Sequence, residues 1–327
     1  MQQSPFFRYS RYLKDKYGGP VYRISVDAGF TCPHRRADGS GGCTFCDEVG
    51  SRAAYQEDVV KDSQILLRRG GKMDDLRLEL VRRQIERGRE FLSRRYSPRA
   101  YILYFQAFTN TFASPGELKK LYDFSLRLGD FRELIVSTRP DCITSAHADL
   151  LGSYRSEDFD VWVELGLQSA HNEVLQRVNR GHSVESFDRA FGLLREAGLK
   201  VTVHLMFGLP GESRREIMES VDYVARRNPE GIKIHNVNVV EGTLLEEEYL
   251  AGEYVPPSDL RHLEYVIEAL QRLPSGTVIQ RVTCDTAGER LAAPLEFMAK
   301  SRFYQLLDDE MRRRGVYQGL RYGIPRG

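Results

Sequence analysis

Three cysteines lie within one short, glycine-rich stretch of this chain, and thiolates are ligands that soft metal centres prefer. Ten residues separate Cys32 from Cys43, which forms a Cys-x-x-Cys pair with Cys46. The intervening glycines allow the positive-φ turns that three converging side chains need. Structural zinc usually has four ligands, and iron–sulfur clusters are normally held by four cysteines. A triad predicts an iron–sulfur cluster with one iron left open, while zinc with His34 as the fourth ligand remains an alternative.

This stretch resembles the cluster loop of radical S-adenosylmethionine (SAM) enzymes. The usual spacing there is Cys-x3-Cys-x2-Cys; the longer first interval and the aromatic Phe45 before the third cysteine are similar to the elongator-type subgroup. The resemblance implies that Cys32, Cys43 and Cys46 bind a 4Fe-4S cluster whose open iron binds SAM. It also implies a reductant such as flavodoxin or ferredoxin, and cleavage of SAM to methionine and a 5′-deoxyadenosyl radical that takes hydrogen from a substrate.

The composition is that of an ordinary globular protein. The chain has 327 residues, 41% hydrophobic and 28% charged, within the range of a single α/β barrel. Its net charge of +1 creates no global field that would demand a polyanionic partner. The sequence shows neither a signal-peptide pattern nor an apolar run of ~18 residues, so we expect a cytoplasmic protein with no membrane partner. Five cysteines, three of them in one loop, fit a reducing compartment, and we expect Cys142 and Cys284 to be small buried side chains.

Strand-like and helix-like runs alternate from residue 21 to about residue 240, which predicts parallel strands joined by right-handed crossovers. Strands are predicted at residues 21–26, 100–105, 133–137, 160–165, 200–207 and 231–240. Helices are predicted at residues 58–69, 74–96, 114–128, 145–151, 172–178, 183–197 and 214–227. Six such units predict an α/β fold, a partial (β/α)6 TIM-like barrel with an N-terminal cluster loop, since complete barrels have eight units.

The pattern changes after residue 240. A helix at 258–272, a strand at 277–283 and a helix at 295–314 follow, separated by loops. We interpret them as a small C-terminal α/β extension that packs on the barrel or closes it. The predicted division is therefore a barrel core at residues 1–245 and an extension at residues 246–327.

Polar side chains follow the predicted second strand, where chemistry gathers in parallel α/β folds. They are Gln106, Thr109 and Asn110. Radical SAM enzymes often have Gly-Gly-Glu in this turn, which binds the amino group of the methionine moiety. This chain lacks that triplet, so the resemblance implies that Gln106, Thr109 or Asn110 replaces it. The alternative is a polar loop that caps the next helix.

The third and fourth predicted strands also end in polar residues. Arg139, rigidified by the following proline, suits a carboxylate, either that of SAM or that of Asp141. Glu164, Gly166 and Gln168 alternate along one face of the fourth strand. A carboxylate inside a barrel needs a partner. We expect a ligand hydroxyl or cation for Glu164, with a core arginine as the alternative.

Later turns resemble the same superfamily. Arg180 and His182 stand in an Asn-Arg-Gly-His run, and the resemblance implies that they face SAM or the substrate. The Gly-Leu-Pro-Gly-Glu turn that starts at Gly208 follows the fifth strand, and its glycines permit close approach of a flat ring such as adenine. The SAM-pocket candidates are Gln106, Thr109, Asn110, Arg139, Glu164, Gln168 and Gly208.

The chain is also similar to a family of bacterial radical SAM proteins. It shares their Ser-Val-Asp-Ala-Gly-Phe-Thr-Cys-Pro opening at 25–33, the Phe-Gln-x-x-Thr-Asn-Thr turn at 105–111 and the Ile-Lys-Ile-His strand at 232–235. One departure is the run Thr-Cys-Asp at 283–285, in which Cys284 occupies the position of glycine in the expected Thr-Gly-Asp.

The substrate is open at this point. Residues 77–99 contain eight arginines and three glutamates, and five more arginines lie at 312–326. Such clusters bind phosphate backbones, although a solvated helix face is the alternative. Elongator-type relatives act on the wobble uridine of transfer RNA and carry an acetyltransferase domain that we do not find here. The hypotheses are a radical SAM enzyme acting on RNA, one acting on a small molecule or peptide, and a non-enzymatic zinc or iron–sulfur protein; no protein partner is indicated.

Overall fold

A parallel sheet curled into a half-barrel forms the centre of the molecule. The computed structural model describes residues 4–36, 41–46, 73–286 and 288–323. In chain order the strands are β1 Val21–Val26, β2 Ala100–Phe105, β3 Phe131–Thr138, β4 Asp160–Gln168, β5 Lys200–Phe207, β6 Gly231–Asn236, β7 Val239–Val240, β8 Val278–Arg281 and β9 Leu291–Ala293. The sheet order is β1-β2-β3-β4-β5-β6-β8, parallel throughout, and β7 pairs with β9 in a separate antiparallel ribbon.

Helices cover the outside of the sheet. They are α1 Tyr9–Tyr17, α2 Asp75–Arg95, α3 Pro115–Leu126, α4 Ser145–Gly152, α5 Asn172–Arg177, α6 Val184–Glu196, α7 Arg214–Arg227, α8 Leu244–Leu250, α9 Asp259–Arg272 and α10 Lys300–Arg313. Several begin at a side chain that accepts a backbone N–H of the first turn, which fixes the point where each strand-to-helix loop ends. These caps are Asp74, Ser114, Ser183, Ser213, Thr243 and Ser258. None of the described helices is long and apolar enough to span a membrane.

Successive side chains of a strand alternate between the apolar core under the helices and the inside of the half-barrel. On β4 the odd-numbered residues Val161 to Leu167 are apolar and buried, in the same core cluster as Phe187 and Leu194 of α6. The even-numbered residues face the inside of the half-barrel, which we call the lumen: Trp162, Glu164, Gly166 and Gln168. The strand thus presents chemistry on one side and core packing on the other.

The predicted α/β partial barrel is confirmed, and two of the predicted strands differ in detail. The predicted strand at 231–240 is interrupted after Asn236, whose side-chain oxygen accepts the backbone N–H of Cys284 and the hydroxyl of Thr283. The strand predicted within the extension is β8, which pairs with β6 as the seventh parallel strand. The predicted helix at 58–69 lies outside the described residues, and the division at residue 245 stays a prediction.

Helix α1 closes the N-terminal end of the half-barrel. The Tyr12 ring meets Trp162 edge to face at 5.7 Å, and Leu13 is buried in the same apolar layer. The two edge strands of the sheet are joined across the lumen by side chains, since Arg23 of β1 donates to the Gln280 oxygen of β8 at 2.6 Å. The lumen therefore has its floor at α1 and its mouth at the C-terminal ends of the strands.

Candidate active site

The cysteine loop follows β1 at the mouth of the half-barrel. The Cys32 sulfur lies 3.2 Å from the Thr109 hydroxyl, at the end of β2. The Cys43 sulfur lies 3.5 Å from Arg180 Nη1 and 3.9 Å from His34 Nε2. The backbone N–H of Cys46 donates to the Cys43 carbonyl, closing the turn between these two cysteines. The described part of the loop therefore brings its thiols to the edge of the sheet where we predicted the cluster.

The thiols lie close enough together to influence one another electrostatically. Burial would raise the pKa of Cys43, but the Arg180 charge and hydrogen bonds from His34 and Arg180 outweigh burial and lower that pKa to about 6. Burial raises the pKa of Cys46 to about 12, with further contributions from the charges of Cys43 and Cys32. At neutral pH Cys43 is a thiolate, which is the form that ligates a metal.

Arg180 connects the thiols to the sheet. Its Nη2 donates to the Gly166 carbonyl at 2.9 Å and its Nε to His182 Nε2 at 3.0 Å. A Cβ atom on Gly166 would lie 2.7 Å from Arg180 Nη2, so glycine is required for this approach. Burial, followed by the charges of Arg180 and Arg139, lowers the pKa of His182 to about 3, so His182 is neutral and its Nε2 accepts the hydrogen bond that Arg180 Nε donates. Sequence reasoning predicted that Arg180 and His182 face SAM or substrate; the structure gives both of them protein partners.

Arg139 retains one nitrogen, Nη1, whose two N–H donors are unused among the described residues. Its Nε and Nη2 each donate to an Asp141 carboxylate oxygen at 2.9 Å, and Nη2 also donates to the Arg180 carbonyl at 2.8 Å. The side chain is buried, and Nη1 has no hydrogen-bond partner among the described residues. A buried donor without a partner costs free energy unless a ligand accepts it. The predicted pairing with Asp141 is present. Nη1 is left to donate to a second acceptor, such as a ligand carboxylate.

The turn after β2 is held in a strained backbone conformation. Ala107 and Phe108 have φ values of 71° and 52°, which side chains with a Cβ rarely adopt. The Asn110 amide donates to the carbonyls of Ala107 and Ser137, both at 3.0 Å, and its own oxygen is buried with no partner in the described chain. This turn therefore places a buried acceptor, Asn110 Oδ1, at the mouth of the half-barrel, one residue from Thr109, which contacts Cys32.

The remaining predicted pocket residues differ in what surrounds them. Within the described ranges the side-chain amides of Gln106 and Gln168 make no hydrogen bond, and Gln168 has a φ of 75°. Gly208 also has a positive φ, of 89°, but a Cβ there would lie 2.2 Å from Pro257 Cγ. Packing against Pro257 accounts for this glycine, and its contact with adenine stays a prediction.

Glu164 is the centre of a buried network one layer below the mouth. It lies 2.6 Å from both Lys233 Nζ and the Tyr104 hydroxyl, 2.8 Å from the Ser137 hydroxyl and 3.2 Å from His204 Nε2. Burial opposes ionisation, but the charge of Lys233 and the His204 hydrogen bond hold the pKa of Glu164 well below its usual range. The cation partners are thus both side chains of the protein: Lys233, which we had not expected, and Arg23 at 3.8 Å, which is the core arginine we had given as the alternative.

Sequence reasoning missed most of this network. Tyr104 and Ser137 lie on strands predicted correctly, but we treated neither as part of the site. The available signal was alternation, which puts Tyr104 on the lumen face of β2 and Tyr101, which contacts Ser93 of α2, on the opposite face.

The described side chains fit an iron–sulfur cluster better than zinc. No group of three or more His, Cys, Asp or Glu side chains among the described residues converges on one ion. His34, the candidate fourth zinc ligand, has its Nε2 3.1 Å from the Asn179 carbonyl. A four-iron cluster binds each thiolate through a different iron and so spreads its ligands further apart than tetrahedral zinc. The unpartnered donor of Arg139 and acceptor of Asn110 suit a carboxylate and an ammonium at the same edge.

Comparison with known proteins defines the class. The profile of the Radical SAM superfamily matches residues 30–224, and that of the Radical_SAM C-terminal domain matches residues 229–313. This chain belongs to the radical SAM superfamily, whose members use a 4Fe-4S cluster and SAM.

Two relatives resemble this chain over nearly its whole length, and a third resembles it over about half. MJ0486 of Methanocaldococcus jannaschii is 32% identical over 97% of this chain and 92% of that protein. YhcC of Escherichia coli K12 is 31% identical over 96% of this chain and 94% of that protein. The tRNA uridine(34) acetyltransferase of Methanocaldococcus infernus is 32% identical over 193 residues, which are 56% of this chain and 34% of that enzyme.

Solved structures confirm the fold. The Elp3 protein of Methanocaldococcus infernus, lacking residues 1–46, superposes with a TM-score of 0.64 at 20% identity, over 92% of this chain and 64% of that one. Coproporphyrinogen III oxidase (HemN) of Escherichia coli superposes with a TM-score of 0.51 at 17% identity, over 82% of this chain and 56% of that one. The curled parallel sheet is thus the radical SAM half-barrel.

Proposed function

We propose that this protein is a radical SAM enzyme that binds a 4Fe-4S cluster through Cys32, Cys43 and Cys46 and acts on a substrate in the lumen. The observation that carries the proposal is the position of the thiols at the C-terminal edge of the parallel sheet, with a guanidinium 3.5 Å from one sulfur, in a chain of this superfamily. A reductant such as flavodoxin or ferredoxin supplies the electron.

The candidate pocket residues take complementary parts in binding SAM. The unpartnered Nη1 of Arg139 would donate to the SAM carboxylate, and the Asn110 oxygen would accept from its ammonium. Gln106 and Gln168 offer amides to the polar groups of the nucleoside, while Thr109 orients the Cys32 sulfur. Gly208 lets the backbone pass close to the adenine.

When bound, the cluster and SAM supply a 5′-deoxyadenosyl radical that removes a hydrogen atom from the substrate. The protein's part is to hold the substrate below that radical and to keep water out. Glu164 orients Tyr104, Ser137, His204 and Lys233 around a single carboxylate, and so fixes the lumen surface on which the substrate lies.

Anaerobic reconstitution tests this function. The wild-type protein, loaded with iron and sulfide and reduced with dithionite in the presence of SAM, is expected to release 5′-deoxyadenosine. Cys46→Ala is expected to lose a ligand and this activity, whereas Cys142→Ala and Cys284→Ala are matched controls that keep both. Release of 5′-deoxyadenosine by Cys46→Ala at the wild-type rate would refute the ligand assignment.

A second proposal concerns the substrate class, namely a modified wobble uridine of transfer RNA. Its support is the 32% identity to the tRNA uridine(34) acetyltransferase over 56% of this chain. The arginines of residues 77–99 do not add to it. Helix α2 runs along the outside of β1. Arg77 at its start donates to the Ala28 carbonyl, near the C-terminal end of β1, and Arg99 after its end donates to the Gly18 carbonyl, near the N-terminal end of β1. Several of these arginines form ion pairs with glutamates of the same helix.

Nucleoside analysis decides between RNA and a small molecule or peptide. Transfer RNA from a strain lacking the gene and from its parent is digested and compared by mass spectrometry. The RNA proposal expects one nucleoside to be lost and its precursor to accumulate, restored by a plasmid with the wild-type gene but not with Cys46→Ala. An unchanged profile contradicts it and leaves the small-molecule or peptide alternative.

A further inference from the structure

The lumen has more cationic than anionic side chains. Arg23 of β1, Lys233 of β6 and Arg281 of β8 face it together with one carboxylate, that of Glu164. Glu164 is 2.6 Å from Lys233 and 3.8 Å from Arg23, so one negative charge is shared between two cations. An excess of buried positive charge is costly unless an anion balances it.

The other charged groups near the lumen do not supply that balance. Glu133 and Asp160 lie toward the floor, where Lys16 contacts both carboxylates and Lys200 contacts Asp160. At the rim, exposed Asp285 acts electrostatically on Lys300, as Arg281 does, but it forms no ion pair with either of them in the described structure. Glu133 and Asp160 therefore have lysine partners of their own, and no carboxylate of the described residues is paired with Arg281.

Arg281 is the cation without a partner. It is in register with Lys233 on the neighbouring strand, so the two side chains leave the sheet on the same face. Its charge contributes to lowering the pKa of His204, Lys233 and His235, which places it in their vicinity. In the described part of the chain its guanidinium makes neither an ion pair nor a hydrogen bond to another side chain. Five N–H donors thus remain available on a strand that lines the lumen.

Two histidines complete this part of the lumen. Burial lowers the pKa of His204 to about 4 and that of His235 well below its usual range, so both rings are neutral. His204 Nε2 is 3.2 Å from ionised Glu164 and carries the proton, which leaves Nδ1 as an acceptor. The His235 ring lies 5.2 Å from that of His204, and its Nε2 is buried with no partner among the described residues.

We propose that Arg281 and His235 form an oxyanion subsite in the lumen, which binds a carboxylate or phosphate of a small substrate. The guanidinium supplies a charged fork of donors, His235 Nε2 adds an uncharged hydrogen bond, and His204 Nδ1 accepts from an N–H or O–H group of the same molecule. The subsite lies beside the Glu164–Lys233 pair, below the ends of the strands. A small anion is favoured over RNA because the arginines on α2 follow the outer wall rather than the mouth.

This proposal rests on the proposed function only in assigning the bound anion to the substrate. Anion binding itself needs no radical chemistry and is measured separately. Trp162, the only tryptophan of the chain, provides the signal. It lies in the lumen floor, and a Cβ placed on Gly231 would be 3.3 Å from its ring and 3.0 Å from the amide of Gln280, the residue before Arg281.

The test is a fluorescence titration of the cluster-loaded full chain with inorganic phosphate and, separately, with acetate, at constant ionic strength. We expect a saturable change in Trp162 emission with at least one of the two anions. Arg281→Met is expected to weaken that binding at least about tenfold, since it removes a charge-assisted bidentate contact. Arg281→Lys keeps the charge without the fork and should give an intermediate dissociation constant. Arg127→Met, at an exposed position after α3, is the matched control and should bind as the wild type does.

The outcomes separate cleanly. Saturable binding of acetate indicates that the substrate group is a carboxylate, and saturable binding of phosphate alone indicates a phosphate ester. Either result supports the subsite. A linear response to both anions, or equal dissociation constants for wild type and folded Arg281→Met, overturns it; circular dichroism establishes that the variant is folded. The proposal is also overturned, in favour of RNA, if a single-stranded oligoribonucleotide displaces the bound anion from Arg281→Met as effectively as from the wild type. A preparation that binds anions but releases no 5′-deoxyadenosine on reduction refutes the proposed function and leaves the subsite standing.

Discussion

Replacing Lys233 by methionine should expose how strongly the lumen network stabilises the fold. Lys233 Nζ is 2.6 Å from Glu164, and both side chains are buried. Removing one partner of a buried ion pair costs about 3–5 kcal/mol because the other charge remains desolvated. Glu164 keeps the hydrogen bonds from Tyr104, Ser137 and His204, so we expect the lower end of that range, about 3 kcal/mol.

A double-mutant cycle isolates the pair. Glu164→Gln alone leaves the lysine buried and unpaired, whereas Glu164→Gln combined with Lys233→Met removes both charges together. The double variant should therefore lose less stability than the two single losses added, with a coupling of about 2 kcal/mol. The assay is urea unfolding of the full chain, followed by circular dichroism and by Trp162 fluorescence. Arg82→Met, which breaks exposed pairs with Glu79 and Glu86, is the control and should cost less than about 1 kcal/mol.

The same pair gives a pH dependence with a definite sign. The folded-state pKa of Glu164 lies below its ordinary value of 4.5, so its contribution to stability is present above that value. The contribution is lost as pH falls through the depressed folded pKa. In Lys233→Met the pKa is less depressed, so the acid-induced loss that comes from Glu164 should be smaller. Additivity of the two single substitutions to within about 0.5 kcal/mol, with unchanged acid behaviour, would refute this account of the network.

Three further outcomes are expected. Arg139→Lys should weaken SAM binding by about tenfold in equilibrium dialysis, because lysine cannot hold Asp141 and a second carboxylate at once, while the exposed Arg132→Lys should bind normally; equal affinities contradict the assignment. Gly208→Ala should lower the free energy of unfolding by more than about 2 kcal/mol, from a positive φ and a clash with a proline ring, whereas Gly211→Ala, with a similar φ of 88° and open space, should cost about 1 kcal/mol; similar losses would show that the clash is relieved. His204 is neutral in the folded state with a pKa of about 4, so the unfolded chain binds its proton first and stability falls as pH drops from 6.5 toward 4; His204→Gln should make that fall shallower, and an unchanged slope contradicts it.

The elements of the half-barrel were predictable because their patterns are local. Residues 100–105 and 200–207 are apolar runs of strand length, and the structure contains strands at those positions. The seventh strand was assigned to the extension because the alternation of strands and helices changes after residue 240, although residues 278–281 pair with β6. Which strand a short apolar segment pairs with depends on tertiary packing, and no local pattern specifies it.

The site was predictable as a set of positions but only partly as a set of contacts. Alternation placed Glu164 in the lumen, yet its lysine partner lies two strands away, and their meeting depends on the register of β4, β5 and β6. Arg180 was expected to face SAM or the substrate; in the structure it donates to His182, to a backbone carbonyl and to the Cys43 sulfur, and a contact with a ligand stays a prediction. Such pairings arise from the three-dimensional arrangement of groups far apart in sequence. The positions of the thiols and of Arg139 followed from motif and strand order alone.

The contact between Arg23 and Gln280 bears on how the barrel wall can move. Backbone ladders fix the spacing of neighbouring strands at ≈ 4.7–4.9 Å, but the first and last strands are joined inside the barrel by a guanidinium and an amide on flexible stems. We therefore expect the separation of β1 and β8 to change more readily than that of neighbouring strands, since it can change without breaking a backbone hydrogen bond of the sheet. A larger or smaller substrate would then require the movement of two side chains rather than of the sheet.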